Sequence, residues 1–196
     1  MPTDLHAFLR SRRSIRRFRS DPVPAPIIRR LIMTASHAPS AHNLQPWRFA
    51  VINDPIYRAN LGQALTQKMR NDMVLAGAPS PEIESRLIRS LNRLEQAPLV
   101  ILLCQEASAV KSQAREELLM AVQSVAAAGT QLLLAAHAEG LAGTWICWPL
   151  FAQRETVAAL DLPATWIPQA MYFVGYALET PPRRKLLSLR NLLLER

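Results

Sequence analysis

A chain of 196 residues has room for one domain with a real core, and a second would be a squeeze. Hydrophobic residues make up 49% and charged residues 19%, with 6 Gly and 15 Pro, which excludes a disordered or low-complexity chain. The formal net charge of +8 leaves three classes of partner open: nucleic acid, a membrane surface or a small anionic ligand. No internal repeat or Ser/Gly linker divides the sequence, so residues 1–196 read as a single domain.

In chain order, Asp4 is the expected N-cap of a short helix over 4–12, and the basic run RRSIRRF follows at 12–18. Asp21 to Pro24 is a turn, and Pro26 suits the first turn of a helix over 25–37. Pro39 to Pro46 reads as a loop, and Trp47 to Asn53 as a strand. A helix over 55–76 is broken by Gly77, Pro79 and Pro81. The next, over 81–95, carries apolar residues at Ile83, Leu87, Leu91 and Leu94, the spacing of one helix face. Pro98 to Cys104 is an unbroken apolar run and so a buried strand. A long helix over 113–139 ends at Gly140, a C-cap glycine. Gly143 to Trp148 is a strand, 153–160 a short helix, and Pro168 to Ala177 a strand. From 181 the tail is basic with scattered leucines. This mixed order is α+β or α/β.

Leu118 to Ala138 carries no Asp, Glu, Lys or Arg and is long enough to cross a membrane. Gln123, Ser124, Thr130, Gln131 and His137 dilute it, and a buried core helix is the preferred reading. The N-terminus lacks the apolar core of a signal peptide. Cys104 and Cys147 form no CxxC pair, which argues against a disulfide framework or a zinc site. A reducing, cytoplasmic location is expected. His6, His37, His42 and His137 have no metal-ligand spacing, so no metal is expected. GxGxxG, P-loop, GxSxG and HExxH motifs are absent.

Charge is concentrated at the two ends. Residues 1–30 hold eight Arg against two Asp, and 183–196 hold four Arg and one Lys against one Glu. In an extended segment Arg12, Ser14 and Arg16 would face one way, and Arg13, Ile15 and Arg17 the other. Two guanidinium forks and a hydroxyl on one side suit a phosphate or the oxygen-rich edge of a flavin, and a solvated basic turn or a nucleic-acid arm are the alternatives. In the loop Ala38-Pro39-Ser40-Ala41-His42-Asn43-Leu44-Gln45-Pro46-Trp47, amide side chains offer donors and acceptors that match a flavin pyrimidine edge; an ordinary turn before a strand is the alternative. Arg86, Arg89 and Arg93 lie at helical spacing, as an exposed face or as a mouth that attracts an anionic substrate.

Taken together, RRSIRRF, about twenty residues, and then APSAHNLQPW resemble the N-terminal signature of the nitroreductase superfamily. The similarity continues through the long helix, GLAGTWICW and the basic tail after GYALETPP. The resemblance implies an α+β fold with a central mixed, mainly antiparallel sheet flanked by helices. It also implies a helical cap over 55–95, a C-terminal tail reaching onto a partner subunit, and a homodimer with FMN at the interface. Arg12, Arg13, Ser14 and Arg16 would contact the ribityl phosphate and the flavin pyrimidine edge. Pro39, Ser40, Ala41, Asn43 and Gln45 would reach FMN from the other subunit. The basic tail would supply phosphate ligands from among Arg183, Arg184 and Lys185, where RRKLLSLR lacks the family's usual proline after the basic pair and leaves the register open. Ile146, Cys147 and Trp148 would neighbour the flavin.

The implied activity is that of an oxidoreductase passing hydride from NADH or NADPH through FMN to a nitroaromatic, quinone or enone-type acceptor, in ping-pong order. No catalytic side chain is assigned, and Arg12 and Arg16 are the candidates to stabilise reduced flavin. Gly140 to Tyr176 also resembles the nitroreductase-type C-terminal domain of the bacterial deazaflavin-coenzyme γ-glutamyl ligase, which implies, as an alternative, reduction of a dehydro precursor. A flavin-binding protein without turnover, and a nucleic-acid binder using the basic ends, are the competing readings; the second is disfavoured by an aromatic content of 6% and by the lack of a recognisable binding module.

Overall fold

The computed structural model describes residues 4–181 and 185–196. Its centre is Leu99–Glu106 (β2), whose eight residues are all buried, the apolar run to Cys104 and the polar Gln105 and Glu106 after it. β2 pairs with Trp47–Val51 (β1) on one side and with Trp166–Gly175 (β4) on the other. Ala142–Ile146 (β3) pairs with β4, giving the order β1-β2-β4-β3 with every strand pair antiparallel. A single-residue parallel bridge, Ser14 to Gly143, adds the basic segment to the free edge of β3 and makes the sheet mixed there.

Period-two alternation sends the strand residues into two cores. Leu99, Ile101, Leu103, Ala170, Tyr172 and Val174 face a layer made by Ala25–Ala35 (α2) and Arg115–Ala138 (α5). Val100, Leu102, Cys104, Met171 and Phe173 face the other way. There they meet Leu61 and Leu65 of Pro55–Leu75 (α3), Leu94 of Ser80–Glu95 (α4) and the region of Gln153–Ala159 (α6). A short helix, Leu5–Ser11 (α1), precedes the basic segment and is capped by Asp4, whose carboxylate accepts from the His6 N–H at 2.8 Å.

The helix ends follow their punctuation. At Gly140 (φ 73°) the Leu141 N–H reaches the Ala136 carbonyl and the Gly140 N–H that of His137. Gly77 (φ 72°) closes α3 in the same way. Every strand departs from its expected bounds by one or two residues at one end or both: β1 stops at Val51 rather than Asn53, β2 runs on past Cys104 to Glu106, and β4 stops at Gly175 rather than Ala177. The 142–146 strand stops before Trp148, because Pro149 opens a 3₁₀ turn over Trp148–Phe151. β4 begins two residues before Pro168, and the register shifts opposite Leu103/Cys104, a bulge that accommodates a residue with no N–H to donate.

α5 is the described helix long and apolar enough to cross a membrane, and it buries one face on the sheet through Ala121, Val125, Ala128, Leu132 and Ala136. Its other face is less buried than an all-round core helix would be, with Leu118, Leu119 and Val122 exposed. The C-terminal segment is fully exposed from Lys185 to Arg196 and carries Leu186, Leu187, Leu189, Leu192, Leu193 and Leu194.

Candidate functional site

The basic segment is stapled along the sheet edge by its backbone. The Ile15 N–H donates to Gly143 O (3.2 Å), Leu178 N–H to Arg17 O (3.0 Å), and Arg19 N–H to Tyr176 O (2.9 Å). The Arg16 N–H donates to Glu179 Oε1 at 3.0 Å, and the same carboxylate stands 4.0 Å from the Arg17 guanidinium. Ile15 is buried, which fixes the face of its neighbours and leaves Ser14 and Arg16 on the open side. The alternation ends at Arg17, which joins them, because Phe18 bridges to Ala177 and packs into the core.

Ser14, Arg16 and Arg17 line a cleft of about 790 Å³ with Arg89, Arg93 and Glu179. It shares Arg89 and Arg93 with a neighbouring cavity of about 710 Å³ between α3, α4 and the end of β3. The apolar surface of that cavity comes from Met69, Met73, Ile146, Trp148, Phe151 and Phe173. Its size is within the usual range for cofactor and substrate pockets, roughly 300–1,000 Å³. Trp148 is fixed by its indole N–H, which donates to the Leu65 carbonyl of α3 at 3.1 Å.

The polar side of this cavity is cationic. Lys68 and Asp72, one turn apart on α3, neutralise each other at 2.6 Å. Arg86, Arg89 and Arg93 have no such partner among the described residues. The Arg93 guanidinium is held below its ordinary pKa by partial burial and by the positive charges of Arg16 and Arg89, with Glu179 opposing.

The expected residues thus fall into separate groups. Ser14, Arg16, Ile146, Cys147 and Trp148 meet at two joined cavities. Arg12 and Arg13 are half-buried and line neither, and the Arg12 charge instead helps depress the pKa of His137 near the end of α5. Pro39, Ser40, Ala41, Asn43 and Gln45 also lie off both cavities. Their loop is tied to α5 by the Ala41 N–H donating to Ser124 Oγ (3.1 Å), and internally by Gln45 Nε2 donating to Asn43 Oδ1 (3.1 Å). His42, Asn43 and Gln45 all have positive φ, at 53°, 55° and 48°. Three left-handed non-glycine residues in one loop are strain of the kind that collects at ligand-binding surfaces.

Lys185 is exposed, and Arg183 and Arg184 lie outside the described residues. Lys68, Met69, Met73, Phe151 and Glu179 were not foreseen as site residues. The i, i+4 Lys68/Asp72 pair was the one signal available, and it reads equally as a solvated helix pair. No cluster of His, Cys, Asp and Glu able to hold a metal occurs among the described residues.

The architecture and site define an α+β domain that presents an apolar wall beside a guanidinium-lined cleft. The chain belongs to the Nitroreductase family, whose model matches residues 9–176. It is 32% identical to a 5,6-dimethylbenzimidazole synthase of Rhodospirillum rubrum, covering 91% of this chain and 84% of that one. It is 28% identical to a Bacillus subtilis protein named as an NAD(P)H nitroreductase, over 95% of this chain and 91% of that one. Among solved structures, a Desulfovibrio desulfuricans nitroreductase in complex with FMN is 26% identical and superposes with a TM-score of 0.74, covering 100% and 98% of the two chains.

Proposed function

We propose that the protein is an FMN-dependent NAD(P)H oxidoreductase that acts as a homodimer on a small organic acceptor. The observation that carries this reading is the junction of the two cavities, where Ser14 and Arg16 stand beside Arg89 and Arg93, next to the apolar wall of Ile146, Trp148 and Phe173. FMN makes three demands on a site: a flat apolar surface, polar groups for the pyrimidine edge, and positive charge for a phosphate. The wall meets the first, and the guanidinium groups of Arg16 and Arg93 suit the others.

Bound there, the flavin would supply two-electron chemistry, alternately reduced by NAD(P)H and oxidised by the acceptor. The chain's own part is binding, orientation and charge. Arg16 is positioned by its backbone bond to Glu179, and its guanidinium is left to face the cleft, where positive charge favours an anionic reduced ring. Trp148, anchored to α3, fixes one wall. α3 and α4 serve as the cap.

The 39–45 loop is assigned to the partner's site. It lies off both cavities of its own chain and presents Asn43 and Gln45 at the surface in a strained turn. The open face of α5 and the leucine-rich tail supply apolar surface for the partner to cover. Arg12 and Arg13 would serve the same shared site from its rim, and Lys185, with Arg183 and Arg184, would reach a phosphate from the tail. A cytoplasmic location fits a reductase fed by NAD(P)H.

The acceptor is a finer matter, since relatives of this chain carry different activity names. Reduction of a dehydro precursor in deazaflavin-coenzyme biosynthesis is the narrower reading, supported by the resemblance over Gly140 to Tyr176. It is abandoned if the FMN-loaded protein leaves that precursor unreduced. The site assignment is tested by titrating FMN against Arg16→Ala and following flavin fluorescence. Loss of one charge-assisted hydrogen bond, about 1.5–3 kcal/mol, weakens binding by roughly ten- to a hundred-fold. Unchanged affinity would remove Arg16 from the site.

A further inference from the structure

Arg86, Arg89 and Arg93 occupy positions i, i+3 and i+7 of α4, so their side chains share one helix face, and all three line the 710 Å³ cavity. Like charges on one face repel, and the usual remedy is an interleaved carboxylate. α4 has none between Arg86 and Arg93; of its three carboxylates, Glu84 is engaged by Arg70 of α3, with one guanidinium–carboxylate contact at 3.0 Å, and Glu82 and Glu95 line neither cavity. The one carboxylate lining the cavity, Asp72, is committed to Lys68. Glu179, in the adjoining cleft, already accepts the Arg16 N–H and faces Arg17. Counting the charged side chains of the first cavity, Lys68 and Asp72 cancel and the three arginines leave a net +3. This charge sits directly against the apolar surface of Met69, Met73, Trp148 and Phe151.

We propose that Arg86 and Arg89 bind an anionic oxo group, a carboxylate or phosphate, on the flavin's reaction partner, whose apolar body lies against Met69, Met73 and Phe151 of the same cavity. The inference rests on the flavin reading for its geometry: Arg16, Arg89 and Arg93 line the cleft assigned to the cofactor, Arg89 also lines the first cavity, and Arg86 lines the first cavity alone, so the Arg86→Gln variant tests the anion site apart from the cofactor cleft. The anion can belong to either reactant, as a phosphate of the nicotinamide donor or a carboxylate of the acceptor. Guanidinium pairs recognise both by the same two-pronged hydrogen bonding. A partially enclosed position strengthens that attraction relative to water, so it selects among substrates rather than merely concentrating anions.

The test uses the full-length protein supplied with FMN, and the variants Arg86→Gln, Arg89→Gln and the double variant. Arg154→Gln, which removes one positive charge outside both cavities, controls for net charge. Binding of 4-nitrobenzoate and of the neutral 4-nitrobenzyl alcohol is compared by calorimetry, and kcat/KM is measured for the same pair and for NADPH against NADH. The expected result is that the wild type prefers the anionic member of at least one pair and that the double variant loses that preference by about tenfold or more. Arg154→Gln should keep it. A change confined to the nitro compounds identifies the acceptor as the anion's source, and one confined to NADPH identifies the donor. If the double variant keeps the wild-type ratios for both pairs, or if the wild type shows no anion preference, the proposal is overturned. Calorimetry reads the same ratio on protein that takes up no FMN, so failure of the flavin reading is seen separately, as absence of flavin absorbance.

Discussion

Gly129 of α5 faces the ring of Tyr172, which is fully buried at the middle of β4. A Cβ at position 129 would run into the Tyr172 hydroxyl. It would also lie 2.9 Å from Cζ and 3.1 Å from Leu103 Cδ2. Trp145 packs edge-on against the same ring at 5.2 Å between centroids, so the ring has little freedom to retreat. Gly129→Ala gains about 1 kcal/mol of helix propensity, while overpacking costs about 1–3 kcal/mol or more. A collision this close belongs at the upper end, and a net loss of about 2 kcal/mol is expected, lowering Tm by roughly 4–8 °C for a chain of this size.

The Tyr172 hydroxyl is itself buried with no hydrogen-bond partner among the described residues, and burial pushes its pKa up. Tyr172→Phe removes both the colliding atom and an unpaired polar group whose desolvation costs about 1–3 kcal/mol. Its Tm should equal or exceed that of the wild type. In the Tyr172→Phe background the Gly129→Ala penalty should shrink by about 1 kcal/mol or more, a coupling that a double-mutant cycle by circular dichroism or calorimetry measures directly. Equal penalties in both backgrounds, or a Tyr172→Phe variant that melts well below the wild type, would refute the packing argument.

Three further outcomes concern charge and assembly. Burial raises the Glu106 carboxyl pKa, but hydrogen bonds from Ser108 and Thr165 and the charge of Arg48 outweigh it, so the folded pKa lies below the ordinary value. Its stabilisation is present above an unfolded pKa of about 4.3 and is lost as pH falls through the folded value, so Glu106→Gln should flatten the acid limb of a urea-midpoint profile. His137 is also depressed, by burial and by Arg12, so the unfolded chain takes up the proton first as pH falls below about 6.5 and stability declines there. His137→Gln should lessen that decline. Leu119→Glu, on the open face of α5, should give a monomer by analytical ultracentrifugation and lower FMN retention. A variant that remains a dimer would move the interface elsewhere.

Much of the fold was legible because its boundaries are written in residues with narrow conformational tastes. Gly77 and Gly140 end helices at positive φ, Pro26 and Pro55 open them, and the unbroken run from Leu99 onward can only be a strand covered on both faces. Pro168 misled, because a proline reads as a strand start unless a bulge accommodates it, and the bulge depends on the partner strand. The alternation separated Ser14 and Arg16 from Ile15, and Ile15 is the buried side. Arg17 broke the pattern because Phe18 turns into the core. Arg12 and Arg13 carry the same motif as Ser14 and Arg16 yet stand away from both cavities. The cavity lining on α3 was not legible, since Lys68, Met69 and Met73 become neighbours of Trp148 only when α3 docks against the turn after β3.

The most direct measurement is a visible absorption spectrum of the freshly purified protein, supplemented with FMN and repeated without oxygen after adding NADPH or NADH. The proposed function predicts a protein-bound flavin spectrum that bleaches on addition of the donor and returns when an acceptor is supplied. A colourless protein that takes up no added FMN, or a bound flavin that neither donor reduces, would contradict it.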